Sequence, residues 1–134
     1  MPYICLGYLD GQQWEAMAER ERNALMDACF AYEEVLRQHG HLVGEKALQS
    51  AQHATTLRYQ NGKVSLTDGP YTETKAQVGG ILILEATDLN HAIQLIAKHP
   101  GVQAGPCEIR PAADVSALVT ASERCRATSH AERT

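Results

Sequence analysis

No run of Lys or Arg interrupts the 134 residues, and a formal charge of −4 gives no basic footprint for nucleic acid. Long apolar runs are missing too. The longest, Tyr3 to Leu9 and Val78 to Leu84, fall far short of the roughly 20 residues that a membrane-spanning helix needs. The N-terminus lacks a basic region followed by an apolar segment and a small-residue cleavage site, so a cytoplasmic location is expected. Cys5, Cys29, Cys107 and Cys125 stand in neither C-x-x-C nor paired zinc-ligand spacing. They are expected as free thiols, with Cys5, Cys29 and Cys107 packed as small buried hydrophobes. A phosphate-binding glycine loop is also absent, and no organic cofactor is expected.

What remains is an ordinary globular composition, 44% apolar and 21% charged. Tyr3 to Leu9 is apolar on both alternating faces, as in a central strand, and ends at the turn signal Asp10-Gly11. A helix is expected from about Glu21 to His39, with Leu25, Cys29, Tyr32 and Leu36 on its packed stripe. Glu33, Glu34, Arg37 and Gln38 read mostly as its solvated side, and Gly40 as its stop. His41 to Lys46 follows as a strand. Asn61-Gly62 within Thr55 to Asp68 is a strong hairpin signal that pairs Tyr59 with Val64, Leu57 with Leu66 and Thr55 with Asp68. By alternation these side chains share one face, which turns Asp68 toward the core side. Val78 to Ala86 reads as a second central strand, Asp88 to His99 as a helix and Glu108 to Pro111 as a short closing strand.

The order is two strand-helix-strand units with a hairpin between them, a ferredoxin-like α+β plan with an antiparallel sheet covered by helices on one face. Apolar residues on both sheet faces argue for a partner, most simply a twofold homodimer. Residues 1–111 form the expected domain. Residues 112–134 form an extension with a short helix from about Asp114 and a frayed end beyond Glu123.

Asp68 is the leading candidate for acid/base chemistry, because desolvation on an apolar face raises a carboxyl pKa. The competing reading is a turn starter whose carboxylate accepts backbone N–H bonds. Gly79-Gly80 suggests a bulge or a close backbone approach. Tyr8 and Tyr71 are candidate hydroxyl donors to a cleft, or packing residues. Thr74 and Gln77 form a capping pattern for one helical turn in a solvated loop. His39 and His41 lack further ligands, so no metal site is expected.

The run DGPYTETKAQVGG, Asp68 to Gly80, resembles the signature of the DGPF-type branch of the YCII-related (YciI-like) proteins, with Tyr71 where the motif has Phe. HLVGEKAL, TTLRYQNGKVSLTDGP, ILILEATDLNHAIQLIAKHP and EIRP agree with the same family in order. The resemblance implies a dimeric α+β barrel and a cytoplasmic homodimer. It adds Glu73 and Lys75, which the motif retains, as candidates for holding a polar ligand. The histidine–aspartate pair of YciI-like proteins is absent at the corresponding positions, where Cys29 and Gln38 stand. Two functions follow as expectations. One is a small cofactor-independent enzyme acting on a metabolite near Asp68, with isomerase, lyase or monooxygenase-like chemistry known in related barrels. The other is a non-catalytic ligand-binding or regulatory protein, linked by the resemblance to extracytoplasmic-function sigma factors.

Overall fold

The computed structural model describes residues 1–133, with side chains described through residue 129. Strand β1 (Pro2–Asp10) runs into a six-residue helix α1 (Gly11–Ala16), where the sequence suggested only a turn. The Asp10 carboxylate causes this, accepting the backbone N–H groups of Gln12 and Gln13 at 3.0 and 3.3 Å. Helix α2 (Glu19–Gln38) ends at Gly40, whose φ of +75° lets the His41 N–H reach back to the Leu36 carbonyl. Next come β2 (Leu42–Ala47), β3 (Thr55–Gln60), β4 (Lys63–Asp68), β5 (Ala76–Glu85), helix α3 (Leu89–Ala97), β6 (Cys107–Pro111) and helix α4 (Val115–Arg133).

Four strands form one antiparallel sheet in the order β2-β5-β1-β6, the ferredoxin-like arrangement read from the sequence. The core lies between one face of this sheet and helices α2 and α3. Tyr3, Cys5, Leu42 and Leu84 from the strands meet Leu36, Ala92 and Ile96 from the helices. Since Tyr3 and Cys5 face the helices, Ile4 and Leu6 point the opposite way, beside Ile83 and Ile81 of β5. Gly7 pairs with Gly80 and Tyr8 with Val78, so Gly79 is the extra residue of a bulge in β5.

The hairpin has the expected register, with Asn61 and Gly62 at φ +53° and +77° in the turn. Its environment differs from expectation. β3 and β4 form a separate two-stranded sheet, and the face carrying Leu57, Tyr59, Val64 and Leu66 is 62–75% exposed. Asp68 therefore does not point into the core, because pairing fixes which residues share a face but not what covers it. The segment 72–77 is likewise not a helical turn. The Gln77 amide folds back to donate to the carbonyls of Thr72 (2.6 Å) and Thr74 (2.9 Å), and the Thr74 hydroxyl donates to the Ala76 carbonyl.

α4 is longer than the short helix expected to fray beyond Glu123, and Val115, Leu118 and Val119 on it are exposed. Thr134 and the His130 side chain lie outside the described residues. No described helix is long and apolar enough to cross a membrane.

Candidate functional site

Between α2, the ends of β1 and β6 and the segment after α3 lies a cavity of about 350 Å³. Its wall is largely hydrocarbon and glycine, with Phe30, Leu82, Ile96 and Val102 among the lining residues. Ionisable groups enter it at few points: Glu33, Glu45, His99, Cys5 and Cys107.

Glu33 belongs to the packed side of α2. It stands four residues after Cys29 and three before Leu36, which puts all three on one stripe. With 7% of its surface exposed it is buried, in contrast to the solvated position read from the sequence. His99 follows the C-terminal end of α3, which the sequence reading placed at this residue. It caps the 3-10 turn Pro100–Gln103, and its Nδ1 accepts the Gly101 N–H at 2.9 Å. A nitrogen that accepts carries no proton, so the proton of the neutral ring sits on Nε2. The ring packs edge-on to Tyr32, whose hydroxyl donates to the Leu95 carbonyl.

His99 Nε2 lies 3.9 Å from Glu33 Oε1, too far for a hydrogen bond, and it is buried with no partner among the described residues. A buried donor without a partner costs stability, so this Nε2–H is open to a polar acceptor that enters the cavity. Burial pushes the Glu33 carboxyl up. The contacts with His99 and Glu45 and the Arg37 charge outweigh it, and Glu33 is held below the ordinary value. Glu45 moves the other way, raised by its contact with Glu33 and by burial against the pull of Arg37, whose guanidinium donates to Glu45 Oε1 at 2.6 Å. Of the two carboxylates, Glu33 ionises first and Glu45 retains its proton longer.

Sulfur from Cys5 and Cys107 belongs to the lining, and Cys29, outside it, stands near Gly101 with its thiol raised by burial and by the Glu33 charge. Among the described residues all four cysteines are free thiols.

The residues singled out in the sequence are spread over the molecule. Gly80 lines the cavity, and the neighbouring Gly79 forms the bulge. Tyr8 is half-buried, and its backbone N–H donates to the Pro106 carbonyl. Tyr71 is exposed beneath the Arg58 guanidinium, 5.4 Å from the ring centroid. Glu73 and Lys75 are exposed on the loop. Asp68 is exposed at the end of β4, and the turn after it is held by backbone groups: the Gly69 N–H donates to Ala54, and the Thr56 hydroxyl donates to the Gly69 carbonyl. Sequence reasoning missed Glu33 and His99. The stripe Cys29-Glu33-Leu36 could have shown the first. His99-Pro100-Gly101 could have shown the second, with Pro at the first position of a helical turn and a side-chain acceptor before it.

A four-stranded antiparallel sheet with two helices on one face and a polar pair in the cleft beneath them defines an α+β sandwich of ferredoxin-like type. Residues 1–116 match the model of the YCII-related domain, and the chain belongs to that family. It is also similar to an uncharacterised protein of Rhizobium meliloti, R00369, at 28% identity over 115 residues, which covers 84% of this chain and 93% of the relative.

Proposed function

We propose that the cleft is a cofactor-independent acid/base site for a small, largely apolar molecule carrying one carbonyl or hydroxyl group. The carrying observation is the Nε2–H of His99, fixed in tautomer by Gly101 and left without a partner 3.9 Å from a buried carboxylate. A substrate oxygen placed between them accepts from Nε2–H, while the ionised Glu33 takes a proton from the adjacent carbon or hydroxyl. A neutral imidazole stabilises the developing oxyanion as a hydrogen-bond donor, and the apolar wall strengthens that bond by excluding water. Glu45, which holds its proton longer and faces solvent beside Arg37, connects Glu33 to bulk water. This reading places the acid/base role on Glu33 and His99 rather than on Asp68.

The test uses a panel of small apolar ketones and enolisable acids in D2O, followed by proton NMR. Deuterium uptake at the carbon next to the carbonyl is expected with the wild-type protein, lost in Glu33→Gln and kept in Asp68→Asn. Uptake that survives Glu33→Gln and fails in Asp68→Asn would return the role to the DGP segment.

A second reading, a binding or regulatory module, is favoured by the exposed apolar face of the hairpin. In the same proposal the chain works in the cytoplasm as a member of the DGPF-type branch. Its unpartnered sheet and hairpin faces pack in a homodimer, with a regulatory protein such as a sigma factor as the alternative occupant. The extension read from the sequence as residues 112–134 begins inside the matched YCII-related domain, so residues 117–134 are the part beyond it.

A further inference from the structure

Two thiols in the cleft wall take no part in the acid/base reading. In the pairing of β1 with β6, Gly7 stands opposite Cys107 and Ile109 opposite Cys5, so the two cysteines are diagonal neighbours on one sheet face. Gly7 presents no side chain between them. Cys5 is 1% exposed, Cys107 is half-buried, and both border the cavity, which gives a small reagent a path to them.

We propose that Cys107 and Cys5 form a redox-active thiol pair that a hydroperoxide entering the cleft converts to an intrachain disulfide. The Cys107 thiolate attacks one peroxide oxygen. The O–O bond breaks, a sulfenic acid forms on Cys107, and the departing alkoxide or hydroxide takes the proton that Cys107 released. The Cys5 sulfur then attacks the Cys107 sulfur. The S–S bond forms, the S–O bond breaks, and the hydroxide leaves with the Cys5 proton as water. Two thiols are oxidised and one hydroperoxide is reduced to an alcohol, or hydrogen peroxide to water.

The electrostatics support this division of roles. The interaction with Cys5 lowers the Cys107 thiol to about 7 against the opposing effects of burial and of Glu108. Cys5 is raised by the same contact and by burial, so it stays protonated as the resolving thiol. Closing the bond needs strand movement, because diagonal positions in a sheet are about 7–8 Å apart at Cα and disulfides span about 4.4–6.8 Å. β6 permits it, being an edge strand hydrogen-bonded on one side only. A bond formed under such strain is readily reduced, which suits a reversible site.

The test treats the reduced full-length protein with hydrogen peroxide near pH 7 and maps its peptides by mass spectrometry. The expected product is a Cys5–Cys107 cross-link that dithiothreitol reverses. Cys5→Ser should instead accumulate a Cys107 sulfenic acid trapped by dimedone, and Cys107→Ser should give neither. Half-ionised but intrinsically weaker as a nucleophile, Cys107 should react about fivefold faster than glutathione at this pH. Cross-links through Cys29 or Cys125, a wild-type sulfenic acid that persists beside reduced Cys5, or a Cys107 rate no greater than that of glutathione would each overturn the proposal. Circular dichroism of the variants separates these results from loss of fold.

Discussion

The cleft and the hairpin differ in what surrounds their acids. Glu33 sits on a helix stripe under the sheet, flanked by a histidine whose free proton points at it, whereas Asp68 ends a strand of an isolated two-stranded sheet in solvent. An acid in a conspicuous motif and an acid in a chemically useful place are therefore different residues here. The lesson is that burial beside a complementary donor turns a carboxylate into a candidate base, and sequence proximity to a turn signature does not.

The same truncation in the two regions should separate them most. Leu84→Ala, at a fully buried position between sheet and helices, is expected to cost about 2–5 kcal/mol in urea denaturation. Leu66→Ala, 70% exposed on the hairpin, should change stability by about 0.5 kcal/mol or less at low protein concentration. A Leu66 effect that grows with protein concentration would show that a second copy covers the hairpin.

Next in size is the effect on proton exchange. Glu33→Gln should lower the rate of deuterium uptake about 100-fold or more, while Asp68→Asn leaves it within about twofold. Glycines sharpen the contrast further. A Cβ at Gly105 would lie 2.0 Å from the Tyr8 carbonyl oxygen, so Gly105→Ala must displace backbone beside the cleft and should cost about 1–3 kcal/mol. At Gly101 a Cβ would fall 2.9 Å from His99 Nδ1. Gly101→Ala should therefore rotate His99 and reduce exchange with a smaller loss of stability.

The smallest expected effect is on pH dependence. Glu33 is held below its ordinary value in the folded chain, so its contribution to stability is present above the unfolded carboxylate range and is lost as pH falls through the folded value. The stability difference between wild type and Glu33→Gln, followed by thermal denaturation, should thus shrink from pH 7 toward pH 3. A difference that widens on acidification would mean that burial, and not His99 and Arg37, governs this carboxyl.

Much of the fold was legible because it rests on local signals. Asn61-Gly62 set the hairpin register residue by residue, Gly40 ended α2, and the doubly apolar runs marked β1 and β5 as central strands. The capping carboxylate of Asp10 was present in the sequence, but the turn signal beside it concealed the short helix α1. The site was less legible because its parts are remote in sequence. Glu33 and His99 meet only when α2 packs against the turn after α3. A charged residue inside an apolar stripe is usually solvated, so the pattern alone favours the wrong side. Asp68 illustrates the converse. Alternation assigned its face, but whether that face is covered depends on the sheet to which the hairpin belongs.

The most direct test is nitrogen-15 NMR of the imidazole of His99 in protein labelled at histidine, assigned with His99→Gln and recorded at about pH 8, above the ordinary imidazole range. The expected spectrum has an unprotonated Nδ1 coupled to the Gly101 amide and a protonated Nε2 that shifts when a cleft ligand is added. A proton on Nδ1, or an Nε2 signal indifferent to every ligand that binds in the cleft, would contradict the account.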